Sequence, residues 1–165
     1  MISMANPSWL RLHRTVRFGD TDAAGVMHFH QLLRWCHEAY EESLEAFGVA
    51  PACVFPMAAA DRPAGLEAPA VALPIVHCSA DFRRPLVCGD PLLIHLEPLR
   101  LDPGSFEVRY RFQRIRSGEP PQDAALGLTR HLAIEAASRL RCSLPDPVQR
   151  WLEATAVSSG DIRPV

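Results

Sequence analysis

The chain has 165 residues, of which 48% are hydrophobic, and a formal net charge of −2. A chain of this length and composition is expected to fold as one domain with a hydrophobic core. Its small net charge gives no electrostatic basis for binding nucleic acid or an anionic membrane. No apolar run could cross a bilayer, and the first residues lack the pattern of a signal peptide, so a cytoplasmic location is expected.

Two features of composition exclude classes of chemistry. All 17 basic residues are arginine, which rules out a Walker lysine, a pyridoxal-phosphate Schiff base and a Ser-Lys nucleophile. No G-x-S-x-G motif occurs, which argues against an α/β-hydrolase esterase. The cysteines are Cys36, Cys53, Cys78, Cys88 and Cys142. They form no C-x-x-C pair and are expected to be reduced and mostly buried.

The pattern in the first third of the chain indicates one strand and one long helix. Residues 1–9 show no pattern and are interpreted as a flexible N-terminus. Apolar and polar residues then alternate over residues 10–18, which is the period of a half-buried strand. From Val26 to Phe47 apolar residues recur at steps of three and four, which predicts an amphipathic helix of about five or six turns. Gly48 is the residue expected to end it in a left-handed conformation.

An acidic segment precedes the helix, and it supports two interpretations. Asp20, Thr21 and Asp22 supply oxygens that could cap the free N–H groups of the first helical turn. Alternatively, the N–H groups at the helix start polarise a carbonyl oxygen, and a carboxylate beside them attacks that carbonyl or activates a water molecule. Spacing alone leaves both open, although Asp20 is better interpreted as a turn former or cap.

The rest of the chain reads as a long connection, four strands and a short helix. Residues 49–70 are rich in Ala and Pro and are interpreted either as a lid that packs over a pocket or as a flexible connector. Strands are predicted at residues 71–82, 92–99, 106–112 and 124–135. A short helix at 148–154 and a polar tail follow. The pattern therefore predicts an α+β domain with an antiparallel sheet of about five strands.

Four segments carry a resemblance to a known family. Residues 18–27 read FGDTDAAGVM, and the other segments are 35–41, 73–82 and 88–90. Together they resemble the hot-dog-fold acyl-CoA thioesterases of the 4-hydroxybenzoyl-CoA thioesterase type, and within these most of all the subfamily of 1,4-dihydroxy-2-naphthoyl-CoA hydrolases of phylloquinone synthesis. The resemblance implies a hot-dog domain, a sheet wrapped around one long helix, over residues 10–142. Uncovered sheet edges favour a homo-oligomer, either a dimer or a tetramer.

The resemblance also implies a set of site residues. Asp22 is expected to be the catalytic carboxylate, and the backbone N–H of Phe29 is expected to bind the oxyanion. His28, Phe55 and Met57 are candidates for substrate contacts. Arg83 and Arg84 are candidates for the CoA phosphates, because this chain has Asp102-Pro103-Gly104 where the 4-hydroxybenzoyl-CoA enzyme has a basic cluster.

Alternatives to an aromatic acyl-CoA thioesterase remain at this point. His28 and His30 lie on different helix faces and no H-E-x-x-H motif occurs, so neither a metal site nor any other cofactor is expected. His28-Phe29 weakly resembles a hot-dog hydratase or dehydratase, but the proline- and glycine-rich segment that normally follows in dehydratases is missing. A thioesterase acting on another acyl-CoA or acyl carrier protein, and a non-catalytic acyl-CoA-binding module, are the other readings.

Overall fold

The long helix predicted from the apolar spacing is the central element of the fold. In the computed structural model, which describes residues 7–159, helix α1 runs Phe29–Phe47 and Gly48 ends it with a left-handed φ of 105°. The helix starts at Phe29 rather than near Val26, because Val26 and Met27 instead form isolated β-bridges. The face of α1 that packs into the core carries Leu32, Cys36, Ala39, Tyr40 and Leu44.

An antiparallel five-stranded sheet packs against α1. The strands in chain order are β1 Arg11–Thr15, β2 Val71–Ala72, β3 Ile75–Phe82, β4 Pro91–Asp102, β5 Ser105–Arg114, β6 Gln122–Leu132 and β7 Ile134–Glu135. The sheet has the order β1-β4-β5-β6-β3, and β2 pairs with β7 in a separate small ladder. Alternate residues of β5 are fully buried: Phe106, Val108, Tyr110 and Phe112. The predicted α+β class and the hot-dog arrangement are confirmed.

Two predicted strands are each divided in the structure. The strand predicted at 71–82 is interrupted at Pro74, whose carbonyl accepts from Leu132 N at 3.2 Å while its ring nitrogen has no proton to donate. The strand predicted at 124–135 is interrupted at Ala133, whose N–H donates to Gly104 O at 2.8 Å. Both interruptions let the chain leave the main sheet and form the β2-β7 ladder.

The segments at the two ends pack on the same core. Helix α2 runs Asp146–Ser159 and is longer than the predicted helix. Trp151 is fully buried and its indole Nε1 donates to Ser43 Oγ on α1 at 3.1 Å. Near the N-terminus, the Trp9 ring lies 5.4 Å from the Phe47 ring. The rest of the predicted flexible start, residues 1–6, and the last residues of the predicted tail, 160–165, lie outside the described residues.

The long connection and the cysteines differ in part from expectation. In the connection, Ala52 and Val54 are buried and Phe55 packs on the core, whereas residues 56–61 are exposed. The expectation that the cysteines are mostly buried is wrong, because Cys53, Cys78 and Cys88 are exposed; all five are free thiols. Neither helix within residues 7–159 combines the length and the apolar character that crossing a bilayer requires.

Candidate active site

The acidic segment folds into a small hairpin immediately before α1. Thr21 and Met27 pair across it, and the backbone N–H of Asp22 donates to Val26 O at 2.9 Å. Gly25 closes the turn with a φ of 78°, a left-handed value that a residue with a side chain rarely adopts, and its N–H donates to Asp22 O at 3.0 Å. The hairpin therefore fixes the backbone of Asp22 close to the start of the helix.

The Asp22 carboxylate faces solvent at the rim of this hairpin. Its Oδ1 accepts a hydrogen bond from the backbone N–H of Ala24 at 2.8 Å, and it forms no ion pair within the part of the chain that the structure describes. Asp22 is exposed and has one oxygen without a partner. A carboxylate held by a single hydrogen bond in this way is accessible to a substrate.

Asp20 has a structural role in the same segment. Its Oδ2 accepts from the backbone N–H of Arg17 at 2.7 Å, and its backbone carbonyl accepts from His28 N at 2.8 Å. The prediction that Asp20 forms a turn is confirmed. The proposal that Asp20, Thr21 or Asp22 caps the helix is wrong, because their side chains form hydrogen bonds with backbone groups of residues 17–24 and the cap is another residue.

His28 is the N-cap of α1. Its ring Nδ1 accepts from His30 N at 3.4 Å, and the two imidazole rings are in contact. The backbone N–H of Phe29, the first helical residue, donates to no acceptor in the described part of the chain, and the Phe29 ring is 68% exposed. An unpaired N–H at a helix start, beside the Asp22 hairpin, is a donor available for an anion or a polarised carbonyl.

A second loop holds the hairpin in place, and sequence reasoning did not identify its central residue. Met27 N donates to Leu86 O at 2.7 Å, and Val26 pairs with Val87. Asp90, which is 3% exposed, accepts from Val87 N at 3.0 Å and so closes the loop. In the sequence, residues 88–90 carried part of the family resemblance, but no role at the site was assigned to Asp90. Its carboxylate is buried because it pairs with arginines distant in the chain.

The aromatic candidate Phe55 lies against one flank of α1. Its ring centroid is 5.8 Å from that of Tyr40 and 6.3 Å from that of His37. His37 and Tyr40 are two to three turns along the helix from Phe29, a distance of about 12–17 Å along the axis. Met57 is 40% exposed. Phe55 thus packs on α1 two to three turns from the helix start near Asp22. Met57 has no described ring or hydrogen-bond contact.

The arginine candidates are placed at a turn, and their side chains are exposed. The backbone N–H groups of Arg83 and Arg84 both donate to Ala124 O, at 2.9 and 3.0 Å. Arg83 Nη1 lies 3.9 Å from Asp123 Oδ2. Within the described residues, no three His, Cys, Asp or Glu side chains are grouped so that they could hold a metal ion.

Comparison with known proteins identifies the family. A model of the Thioesterase-like superfamily matches residues 16–152. The chain belongs to this superfamily, which confirms the family predicted from the four segments of the sequence.

Relatives with high identity cover almost the whole chain. The chain is 57% identical over 157 residues to the 1,4-dihydroxy-2-naphthoyl-CoA hydrolase of Synechococcus sp. (strain CC9311), covering 95% of this chain and 96% of that protein. It is 58% identical over 153 residues to the protein of the same name from Prochlorococcus marinus (strain MIT 9303), covering 92% and 95%. The crystal structure of a 1,4-dihydroxy-2-naphthoyl-CoA thioesterase from Synechocystis matches with 31% identity and a TM-score of 0.70, covering 87% and 94%.

Proposed function

We propose that the protein hydrolyses 1,4-dihydroxy-2-naphthoyl-CoA, an aromatic acyl-CoA thioester of phylloquinone biosynthesis, to the free acid and coenzyme A. The identity of more than half of all residues with hydrolases of that name, over nearly their whole length, supports the substrate. The observation that carries the chemistry is the exposed Asp22 carboxylate in a fixed hairpin beside the unpaired N–H of Phe29.

Hydrolysis of a thioester requires little more than these two groups, the carboxylate and the backbone N–H. Sulfur donates little resonance to a thioester carbonyl, and a thiolate is a stable leaving group. The reaction therefore needs a nucleophile or base and an oxyanion donor more than it needs a strong acid. A backbone donor of this kind contributes about 2.7–4 kcal/mol to transition-state stabilisation.

Asp22 can act in either of two ways. As a nucleophile, its oxygen attacks the acyl carbon, the C–S bond breaks, and water then hydrolyses the resulting anhydride. As a general base, it takes a proton from a water molecule while the water oxygen attacks the acyl carbon. In both routes the oxyanion is placed on Phe29 N–H and CoA leaves as the thiolate, which takes up a proton from solvent.

The free edge of the sheet supports a homo-oligomer, with a dimer as its smallest unit. Strand β3 pairs with β6 on one side only, and it is exposed on both faces. Ile75, Val76 and Phe82 are 40%, 50% and 50% exposed. Backbone groups left unpaired beside apolar side chains are the features of an edge that pairs with another strand. A second copy joined at β3 would extend the sheet. We also propose a cytoplasmic location for the enzyme.

The test is a thiol-release assay with aromatic and long-chain acyl-CoA thioesters, run on the unaltered protein and on Asp22→Asn. Rapid release from 1,4-dihydroxy-2-naphthoyl-CoA that Asp22→Asn abolishes is the expected result. Release from long-chain substrates alone would refute the proposed acyl group. Binding without release would refute catalysis and favour an acyl-CoA-binding module, and water addition to an enoyl-CoA would favour the hydratase.

A further inference from the structure

A cleft of about 640 Å³ lies between strand β1 and the start of α1. Its polar wall is formed by Arg14 and Arg17 from the β1 side and by Gln31 and Arg34 from the helix. Asp20 and Glu38 add two carboxylates, and Trp35, the start of β4 and the residue that follows β5 supply the apolar surface. Asp22 does not line it. The volume lies within the range of about 300–1,000 Å³ that is usual for small-molecule sites.

Gln31 gives this cleft a specific polar group. It belongs to the first turn of α1, is only 7% exposed and lines the cleft. Its side-chain amide makes no hydrogen bond with any residue that the structure describes. Its amide atoms are not among the fully buried polar atoms without a partner, so they remain accessible from the cleft. The amide is therefore available to a molecule that enters the cleft.

The charges around the cleft leave one arginine without an acidic partner. Arg14 pairs with Glu42, and Arg34 Nε lies 2.8 Å from Glu38 Oε1. Arg17 forms no ion pair within the described residues. Of the acidic groups at the cleft, Asp20 already accepts a hydrogen bond from Arg17's own backbone N–H. Asp20 and Glu38 also line the cleft, and their carboxylates disfavour a polyanion, whereas the unpaired guanidinium of Arg17 can bind a single carboxylate.

The floor of the cleft is apolar and includes an aromatic ring. Trp35 is 5% exposed, Leu92 is 1% exposed, and Ile115 is half-buried beside them. An indole ring with aliphatic neighbours fits a planar hydrocarbon ring better than a sugar or a flexible polar chain. The ligand that fits both the polar wall and the apolar floor of the cleft is a planar ring system bearing one oxyanion.

We propose that this cleft binds an aromatic monocarboxylate, with its carboxylate on Arg17, its polar substituent on the Gln31 amide and its ring on Trp35. The choice of ligand rests on the proposed function, because hydrolysis of an aroyl thioester releases an acid of this class. The site is separate from the catalytic hairpin. Neither Asp22 nor Phe29 lines the cleft.

The cleft is nevertheless connected to the helix start through Asp20. The Asp20 carboxylate accepts from Arg17 N, and its carbonyl accepts from His28 N at 2.8 Å. Arg17 thus belongs to the turn that positions the N-cap of α1. An acid bound in this cleft lies next to the catalytic hairpin without occupying it, so it and a substrate analogue bind at the same time.

The test is the binding of 1-hydroxy-2-naphthoate, a stable aromatic acid, measured by isothermal titration calorimetry. Arg17→Ala and Gln31→Leu are each expected to weaken binding by about tenfold. Arg150→Ala, which removes an exposed arginine of α2, is the matched control and is expected to change nothing. Asp22→Asn is also expected to leave this binding unchanged, and circular dichroism checks the fold of each variant.

A second measurement needs no variant. The acid is expected to slow the modification of Arg17 by phenylglyoxal, followed by mass spectrometry, and not that of Arg150. Wild-type affinity in Arg17→Ala, or no protection of Arg17, would overturn the proposal. Loss of binding in Asp22→Asn would place the acid at the hairpin and overturn it too.

Two results distinguish this proposal from a nucleotide subsite and from the proposed function. Arg17-dependent binding of adenosine 3′,5′-bisphosphate without binding of the naphthoate would make the cleft a nucleotide subsite, which contradicts the monocarboxylate. Arg17-dependent binding of the acid by a protein that shows no aroyl-CoA hydrolysis would sustain the site while refuting the proposed function.

Discussion

Arg116 Nη2 donates to the Asp90 carboxylate over 2.9 Å, joining the end of β5 to the loop that holds the hairpin of Asp22. Arg114 Nη1 lies 3.7 Å from the other oxygen of the same carboxylate, which is 4% exposed. Asp90 also accepts from Val87 N, and Val87 pairs with Val26 in the hairpin. The position of the Asp22 backbone therefore depends on an ion pair made by residues far from it in sequence.

Replacing Asp90 is expected to destabilise the protein and to displace the hairpin. Asp90→Ala leaves Arg114 and Arg116 without their partner and opens the loop at Val87. Asp90 is buried but the Arg116 side chain is 43% exposed, so the loss is expected to be about 1.5–3 kcal/mol, the usual contribution of a hydrogen bond to a charged group. Urea unfolding measures the loss, and kcat is expected to fall at temperatures where the variant is still folded. Asp61→Ala, an exposed acid with no described partner, serves as the control; equal stability of the two variants would refute this account.

Substitutions of Asp20 and Asp22 are expected to have different effects on activity. Asp22→Asn is expected to reduce kcat by several orders of magnitude with little change in the free energy of unfolding, because only one oxygen of Asp22 is engaged, by Ala24 N. Asp20→Asn keeps an oxygen that can accept from Arg17 N and is expected to retain most of the activity. Full activity in Asp22→Asn, or a greater loss in Asp20→Asn, would contradict the assignment.

A single-turnover experiment in H₂¹⁸O distinguishes the two roles of Asp22. If Asp22 is the nucleophile and water hydrolyses the anhydride at the aspartyl carbon, ¹⁸O remains in the Asp22 carboxylate and the peptide mass rises by two. If it is a general base, or if water attacks the anhydride at the acyl carbon, all of the label enters the released acid, so label in Asp22 is the result that establishes the nucleophile. Digestion and mass spectrometry of the peptide that contains Asp22 reads out the result.

Periodic elements and local turns were predictable from the sequence, because their signals are local. The spacing of apolar residues predicted α1, and Gly48 predicted its C-terminal end. The N-cap could not be predicted in this way. Asp20 and Asp22 have the ordinary preference for a cap, but the Thr21–Met27 pairing inserts a hairpin between them and the helix, and this leaves the cap to His28.

Features that depend on packing between distant segments were not predictable. The burial of Asp90 requires two arginines at the far end of β5, and the cleft beside Gln31 requires β1 to lie along the helix. The cysteine expectation was wrong for a similar reason. Cys78 lies on β3, and the free edge of that strand is exposed rather than covered by the rest of the chain.

A buried histidine is expected to make the protein less stable in mild acid. His131 is fully buried, stacks on the Phe106 ring at 4.6 Å and has its Nε2 3.0 Å from Thr129 Oγ1. Burial lowers the pKa of His131 to about 4, from an ordinary value of 6.5. His131 therefore becomes protonated near pH 6.5 in the unfolded chain, whereas in the folded protein it becomes protonated only near pH 4. Stability is lost as pH falls through that window, with a total of about 3 kcal/mol.

Urea unfolding at pH 7 and pH 5 measures this loss. About 2 kcal/mol of the decrease is expected between these two values in the unaltered protein. His131→Gln removes the titrating group while keeping a polar side chain near Thr129, so its decrease is expected to be smaller by that amount. An equal decrease in both proteins would show that other groups cause the acid sensitivity.

Gly127 on β6 is expected to tolerate no side chain. A Cβ at this position would lie 2.5 Å from Cys36 Sγ on α1 and 3.6 Å from Tyr110 Cβ. Gly127→Ala therefore pushes the helix from the sheet and is expected to cost about 1–3 kcal/mol. Gly19→Ala, where nothing lies within 4 Å, is the control. In the double variant Gly127→Ala/Cys36→Ala the loss is expected to be less than the sum of the two single losses; strict additivity would argue against the close contact.

The free edge at β3 is expected to join two copies of the chain. Val76 is 50% exposed on this strand, and a lysine there places a charge where the proposed partner strand would pack. Val76→Lys is expected to convert an oligomer into monomers and to lower kcat if the second copy completes the site. Leu140→Lys is the matched control, because Leu140 is 67% exposed and lies outside the strands. Light scattering after gel filtration gives the mass; a monomeric unaltered protein, or an unchanged oligomer in Val76→Lys, would exclude β3 as the interface.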